Sequence, residues 1–158
     1  MWWRRLRWLL GLIALSALAT CPVGWRACRS ERRLREADQV LRYLRGRVIT
    51  AYGSTGALPA TGAGPTPALG ACCDQGGQCA VNAEQWNQPG WKALGFTLDD
   101  PHRFSYSYQP SGDGAVLRAV GDVDCDGVPT VIELHLARDP KDAKHLVETW
   151  SRQLEPER

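Results

Sequence analysis

From Trp8 to Val23 the chain is apolar almost without interruption, whereas from Ser30 to Tyr52 apolar residues return only at every third or fourth place. The first pattern predicts a membrane-embedded helix. It is roughly 16 residues long, against the ~20 that cross a hydrocarbon core squarely. Gly24 and Trp25 lengthen it, and Trp2, Trp3, Trp8 and Trp25 flank it where indoles settle at a bilayer boundary. In the second pattern Leu34, Ala37, Leu41, Leu44 and Val48 form a stripe, with Glu31, Arg32, Arg35, Arg42 and Arg45 on other positions. That spacing predicts an amphipathic helix over 30–53, ended by Gly53, whose stripe packs mainly within the chain.

Ser54 to Ala71 are almost all Gly, Pro, Ala, Ser and Thr, so no periodic segment is expected there, only an exposed connection. Further on, Pro89 opens a helical turn that turns Trp91 and Leu94 inward. Phe104, Tyr106 and Tyr108 alternate with serines, Gly112-Asp113-Gly114 supplies a turn, and Ala115–Val120 and Val131–Leu136 supply two more strands. Together these predict an antiparallel meander and an α+β fold. The C-terminal piece reads two ways: Ala143, Leu146, Val147, Trp150 and Leu154 fit a helix, the preferred reading, and 145–150 also fits an edge strand.

At 158 residues, with about fifty in the N-terminal stalk, one domain of roughly a hundred residues remains. The segments are 1–29 as anchor or signal-like stretch, 30–53 as amphipathic helix, and 54–158 as a β-rich domain. Net charge is +2, but residues 1–50 hold 11 Lys+Arg against 3 Asp+Glu and residues 51–158 hold 8 against 14. The basic half therefore belongs to the stalk, where it suits anionic lipid headgroups or solvent. No aromatic residues interleave with it and no base-reading motif occurs, so nucleic acid is not expected as a partner.

The apolar run has three readings. An uncleaved single-pass anchor is preferred. A cleaved secretory signal would use Arg4, Arg5 and Arg7 as its basic region and Leu9–Leu18 as its apolar one. Leu18-Ala19-Thr20-Cys21 also looks like a lipobox, with Cys21 as the lipidated residue.

Of six cysteines, Cys72, Cys73, Cys79 and Cys125 lie in the distal domain and suggest two disulfides or a four-ligand zinc site. Behind a membrane run the domain would face an oxidising compartment, which favours disulfides. Cys72 and Cys73 are adjacent and do not bond each other, so Cys79 and Cys125 take one each. Cys28 is left unassigned.

Gly121-Asp122-Val123-Asp124-Cys125-Asp126-Gly127 carries the sharpest chemistry. With Asp122 as first ligand, Asp124 and Asp126 fall at places three and five, Gly127 at six, the Val128 carbonyl at seven, Thr130 at nine and Glu133 at twelve, the spacing of an EF-hand Ca²⁺ loop. The alternative is a hairpin turn whose aspartates are solvated or form Asx turns. Catalysis is not expected: His102, His135 and His145 are scattered, and neither Gly-x-Ser-x-Gly nor His-Glu-x-x-His occurs.

Pro22, the continuation RRLREADQVLRYLRGRVITAY, the Gly/Pro stretch, CC…C, W…W..LGF, FSYSY and GDVDCDGV, in that order, resemble type IV pilin-like proteins, in the manner of those of gliding deltaproteobacteria. The prepilin processing site is degenerate: Gly11 is followed by Leu12, Ser16 stands where the family has glutamate, and no acidic residue precedes Glu31. The resemblance implies a long N-terminal helix packed on a small antiparallel sheet, with the Gly/Pro segment as an αβ-loop and the cysteines stapling that loop and the turn region. It also implies a non-enzymatic pilin or pseudopilin subunit in the inner membrane, its C-terminal domain periplasmic or extracellular. The expected partners are the membrane, other pilin-like subunits, and pilus or type II secretion machinery. The second function kept open is a membrane-tethered or lipidated, Ca²⁺-stabilised binding module that does not polymerise.

Overall fold

The computed structural model describes residues 34–153. The readings placed on Trp8–Val23, Cys21, Cys28 and the start of the amphipathic segment at Ser30 lie outside that range. Among the described residues no helix is long and apolar enough to cross a membrane.

Helix α1 spans 34–55. It ends at Gly56, which takes a left-handed φ of 71° and donates its N–H to the Tyr52 carbonyl at 2.7 Å. Gly53 lies inside the helix and not at its end, because no other group packs against it and the helical path runs on for two more residues. At ~100° per residue, Ala37, Leu41, Leu44 and Val48 fall on one line, and all four are fully buried. Each buried leucine or valine contributes roughly 1.5–3 kcal/mol.

The flanks of the stripe face two different neighbours. On one side Glu36 accepts from the Arg103 backbone N–H and guanidinium at 2.6 and 2.8 Å, Tyr43 stacks 5.2 Å from Phe96, and Arg47 Nε donates to the Leu94 carbonyl. On the other, Asp38 binds Arg152, Arg42 sits over the Trp150 ring, and Arg45 pairs with Glu148. The helical period explains this division: 36, 43 and 47 lie about a quarter-turn to one side of the stripe, and 38, 42 and 45 to the other.

Downstream come β1 (Ala63–Thr66), α2 (Ala71–Asp74), a 3₁₀ turn (Ala83–Trp86), α3 (Pro89–Leu94), β2 (Ser105–Ser111), β3 (Gly114–Gly121), β4 (Thr130–Arg138) and β5 (Leu146–Gln153). The strands form one antiparallel sheet in the order β1-β2-β3-β4-β5. Register puts Tyr108 beside Leu117, Leu117 beside Leu134 and Leu134 beside Trp150, a row across one face. The first three are fully buried and Trp150 is half-buried. The opposite face carries Arg118, Glu133 and Ser151, also in register. At one end of the sheet Trp86, Trp91 and Phe96 pack with ring centroids 5.0–5.4 Å apart, and Trp91 Nε1 donates to Thr66 Oγ1 at 2.8 Å.

This arrangement corrects the expected architecture. The α+β class fits roughly, but what is found among the described residues is a five-stranded antiparallel sheet with a helix over 34–55, not a long N-terminal helix packed on a small sheet. Two extra strands make the difference. Within the Gly/Pro stretch, read as structureless, β1 pairs with β2; Gly64 takes φ 81°, and a side chain there would run into the Tyr106 carbonyl. The C-terminal piece, read preferentially as helix, is β5, whose alternate residues Glu148, Trp150 and Arg152 turn toward α1. Apolar spacing there mimicked a helix because only Trp150 of that alternating set is apolar.

Candidate functional site

The β3–β4 connection is positioned by the sheet itself, since Gly121 and Thr130 pair across the two strands and leave 122–129 as a tight excursion. Asp122 organises it: Oδ1 accepts from the Asp126 N–H at 3.1 Å and Oδ2 from the Gly127 N–H at 2.7 Å. Asp126 Oδ1 in turn accepts from the Val128 N–H at 2.9 Å. The path needs left-handed backbone at Gly127, φ 91°, and at Cys125, φ 61°. A non-glycine residue pays for that conformation in steric strain, and the bond from Cys125 to Cys73 holds it in place.

One disulfide ties this turn to the Cys72-Cys73 pair, and the other closes the segment 72–79 against His102. Cys72 joins Cys79 and Cys73 joins Cys125, with Cα separations of 4.4 and 5.6 Å. The zinc alternative thereby loses its sulfur ligands, because a disulfide offers no thiolate. Cys73 Sγ lies 3.3 Å from the Asp122 carbonyl oxygen; carrying no proton, it makes a contact there and no hydrogen bond.

Asp122, Asp124 and Asp126 each bring a carboxylate oxygen within 4.8 Å of the others. Hard oxygens at that spacing suit a Ca²⁺ with ligands at about 2.3–2.6 Å, and a carboxylate oxygen bound to one N–H keeps a lone pair for a cation. Val128 belongs to the same turn, through its N–H. Glu133 does not reach it. It lies three residues into β4, where Oε1 takes Arg118 at 2.5 Å and Oε2 takes His135 at 3.0 Å. Partial burial pushes the Glu133 carboxyl up, but hydrogen bonds from Arg118 and His135, with their charges, outweigh it and hold the group below its ordinary value. Thr130, at the ninth place, is buried at the start of β4. A twelve-residue helix-flanked loop curls its last ligand back; here β4 is extended and carries residue 133 away at about 3.4 Å per residue.

A second polar grouping was not legible in the sequence. His102 is buried with Nδ1 donating to the Asp100 carbonyl at 3.0 Å. Its ring stands between those of Trp86 and Tyr106. His102 Nε2, Trp86 Nε1 and the Tyr106 hydroxyl are buried without hydrogen-bond partners among the described residues. Burial, and secondarily the charge of Glu36, pushes the Tyr106 phenol well up; burial raises that of Tyr108 to about 12, while its hydroxyl donates to the Pro59 carbonyl at 2.8 Å. The sequence signal, aromatic residues near a lone histidine, is the ordinary signal of a core.

Compared with protein-family models, curated proteins and solved structures, the chain matches none.

Proposed function

We propose that this protein is a non-enzymatic, membrane-anchored pilin-like subunit, or an accessory, of a pilus or type II secretion-like pseudopilus. The reading is supported by the order of sequence features from the apolar run to the cysteines, and by one structural observation: α1 is locked to the rest of its unit along three lines. Its stripe is buried, its Glu36 flank is bound to Arg103, and its Asp38–Arg45 flank is bound to β5. Tyr52 adds a hydrogen bond to the Ala143 carbonyl near the helix end. Within its unit α1 is therefore held to the sheet along its length. An anchored or assembled subunit needs that coupling. Two disulfides suit the oxidising side of a membrane.

The second reading, a tethered Ca²⁺-stabilised binding module that does not polymerise, is favoured by a different observation. The apolar stripe of α1 is used up within the unit, leaving Tyr43 and Ile49 as the exposed large apolar residues of that helix, and the three aspartates of the β3–β4 turn converge.

The deciding measurement is the mass and N-terminal residue of the protein from membranes of its host, together with its presence in sheared filaments. A methylated amine at Leu12 and recovery with filaments are expected from the subunit reading. A lipidated Cys21, or an intact Met1 found only with membrane monomer, would overturn it in favour of the module. For the turn, saturating Ca²⁺ is expected to raise Tm by mass action on the folded state, by an amount equivalent to about 2.7 kcal/mol at a hundredfold excess over Kd. Identical melting in Ca²⁺ and EGTA would leave an Asx-stabilised turn.

A further inference from the structure

The two edges of the sheet are built differently. β1 has four residues, includes Pro65 with no N–H to offer, and shifts register between Ala63 and Thr66. Shortness, proline and a bulge are the devices by which an edge refuses another strand. β5 has none of these. It is eight residues long, contains no proline or glycine, pairs with β4 in unbroken register, and is exposed along most of its length. Among the described residues no strand pairs with its far side. Charge is the remaining protective device, and the charges of β5 are drawn away from the edge: Glu148 is held by Arg45 and Arg152 by Asp38.

The sequence of β5 is also complementary to itself. In an antiparallel pairing with Trp150 opposite its own copy, Glu148 stands opposite Arg152 of the second chain, Arg152 opposite Glu148, and Thr149 opposite Ser151. Glu148, Trp150 and Arg152 share the α1 side, so the charged pairs meet on one face, where cross-strand partners interact. Moving the centre of the pairing by one residue either way brings Glu148 or Arg152 opposite Trp150 and loses both pairs. Charge therefore selects one register.

We propose that the free edge of β5 is a docking surface for a second copy of this chain, joining the two sheets into one antiparallel ten-stranded sheet about a two-fold axis through Trp150. On each side Asp38, Arg152, Glu148 of the partner subunit and Arg45 of the partner subunit form a continuous run of alternating charge; at the axis itself the two Arg42 guanidiniums face each other, each seated over its own Trp150 ring. A closed two-fold pairing of this kind consumes the edge and stops at two copies. It stands apart from any assembly made through the N-terminal segment, and so does not depend on the function proposed above.

The test is amide hydrogen exchange, read by mass spectrometry on the full-length protein in detergent over a hundredfold range of concentration. Exchange within 146–153 is expected to slow by about tenfold at the high end and recover on dilution, while 63–66 does not change. Concentration-independent protection of β5 would mean that the chain's own segment covers the edge, and absence of protection would mean that no strand adds to it; either overturns the proposal. Glu148→Arg opposes like charges twice and is expected to weaken the pairing by about tenfold. Combining it with Arg152→Glu restores complementarity between copies, although both intrachain ion pairs, to Arg45 and to Asp38, then become exposed like-charge contacts. Protection should return in that double variant, with β2–β4 reporting an intact fold. If it does not, the register is wrong and the proposal fails.

Discussion

At the β1 margin of the sheet, backbone meets backbone with no room for side chains, whereas at the β5 margin long charged side chains reach across an open surface. A methyl group on Gly90 would strike the Gly62 carbonyl and the Ala63 side chain, and one on Gly64 would strike the Tyr106 carbonyl. Trp91 is buried and bonded to Thr66, and the chain after β1 is tied down by two disulfides. At the other margin, Arg152 keeps 45% of its side chain exposed while bound to Asp38, and Arg45 keeps 37% while bound to Glu148. Packing and covalent closure are indifferent to salt; exposed ion pairs are screened and repay little of the side-chain entropy they cost. One margin is thereby fixed, and the other is held in place while remaining open to a new partner.

The largest expected effect is on the covalent side. Replacing Cys73 and Cys125 by serine opens a closure of 52 residues, and loop entropy predicts a loss of about 4 kcal/mol. The same exchange at Cys72 and Cys79, a closure of 7, should cost about 2 kcal/mol. Denaturant unfolding of both variants measures the difference, and equal losses would remove loop closure as the explanation.

Gly90→Ala comes next. Overpacking against a backbone carbonyl costs about 3 kcal/mol, of which ~1 returns because alanine favours the helix more than glycine does, leaving a loss of about 2. A Tm unchanged by this substitution would show that the β1 margin yields more easily than its contacts imply.

The smallest effect belongs to β5. Arg152→Ala is expected to cost less than about 1 kcal/mol, and the loss should shrink further in 1 M salt. A loss larger than that of Gly90→Ala, or one that persists in salt, would reverse the ranking of the two margins.

How much of this was readable follows the same division. The α1 stripe and the cores of β2, β3 and β4 show in the sequence because large side chains gather on one face at a fixed period, 3.6 along Ala37, Leu41, Leu44 and Val48, and 2 at Phe104, Tyr106 and Tyr108 with small buried Ser105 and Ser107 between them. The β1 strand, Ala-Gly-Pro-Thr, has no such period, because a four-residue edge needs close approach more than side chains. β5 is exposed on its outer face and uses charges on its inner one, so apolar periodicity had little to report. At the candidate metal turn, the alternation of Asp122, Asp124 and Asp126 was legible because their convergence is local. The place of Glu133 was not, since that depends on whether the chain after Gly127 curls or extends.

By itself, then, the sequence determined what local pattern encodes: an amphipathic helix, three central strands, an acidic turn, and four distal cysteines in which the adjacent pair cannot close on itself. Only the tertiary structure decided which cysteine takes which, that Glu133 belongs to Arg118 and His135, that the charges at 38 and 45 serve β5 instead of lipid or solvent, and that the sheet has five strands. The physical reason is that each of these is a pairing between residues far apart in the chain. Its energy depends on what stands opposite, and nothing local to either partner states that.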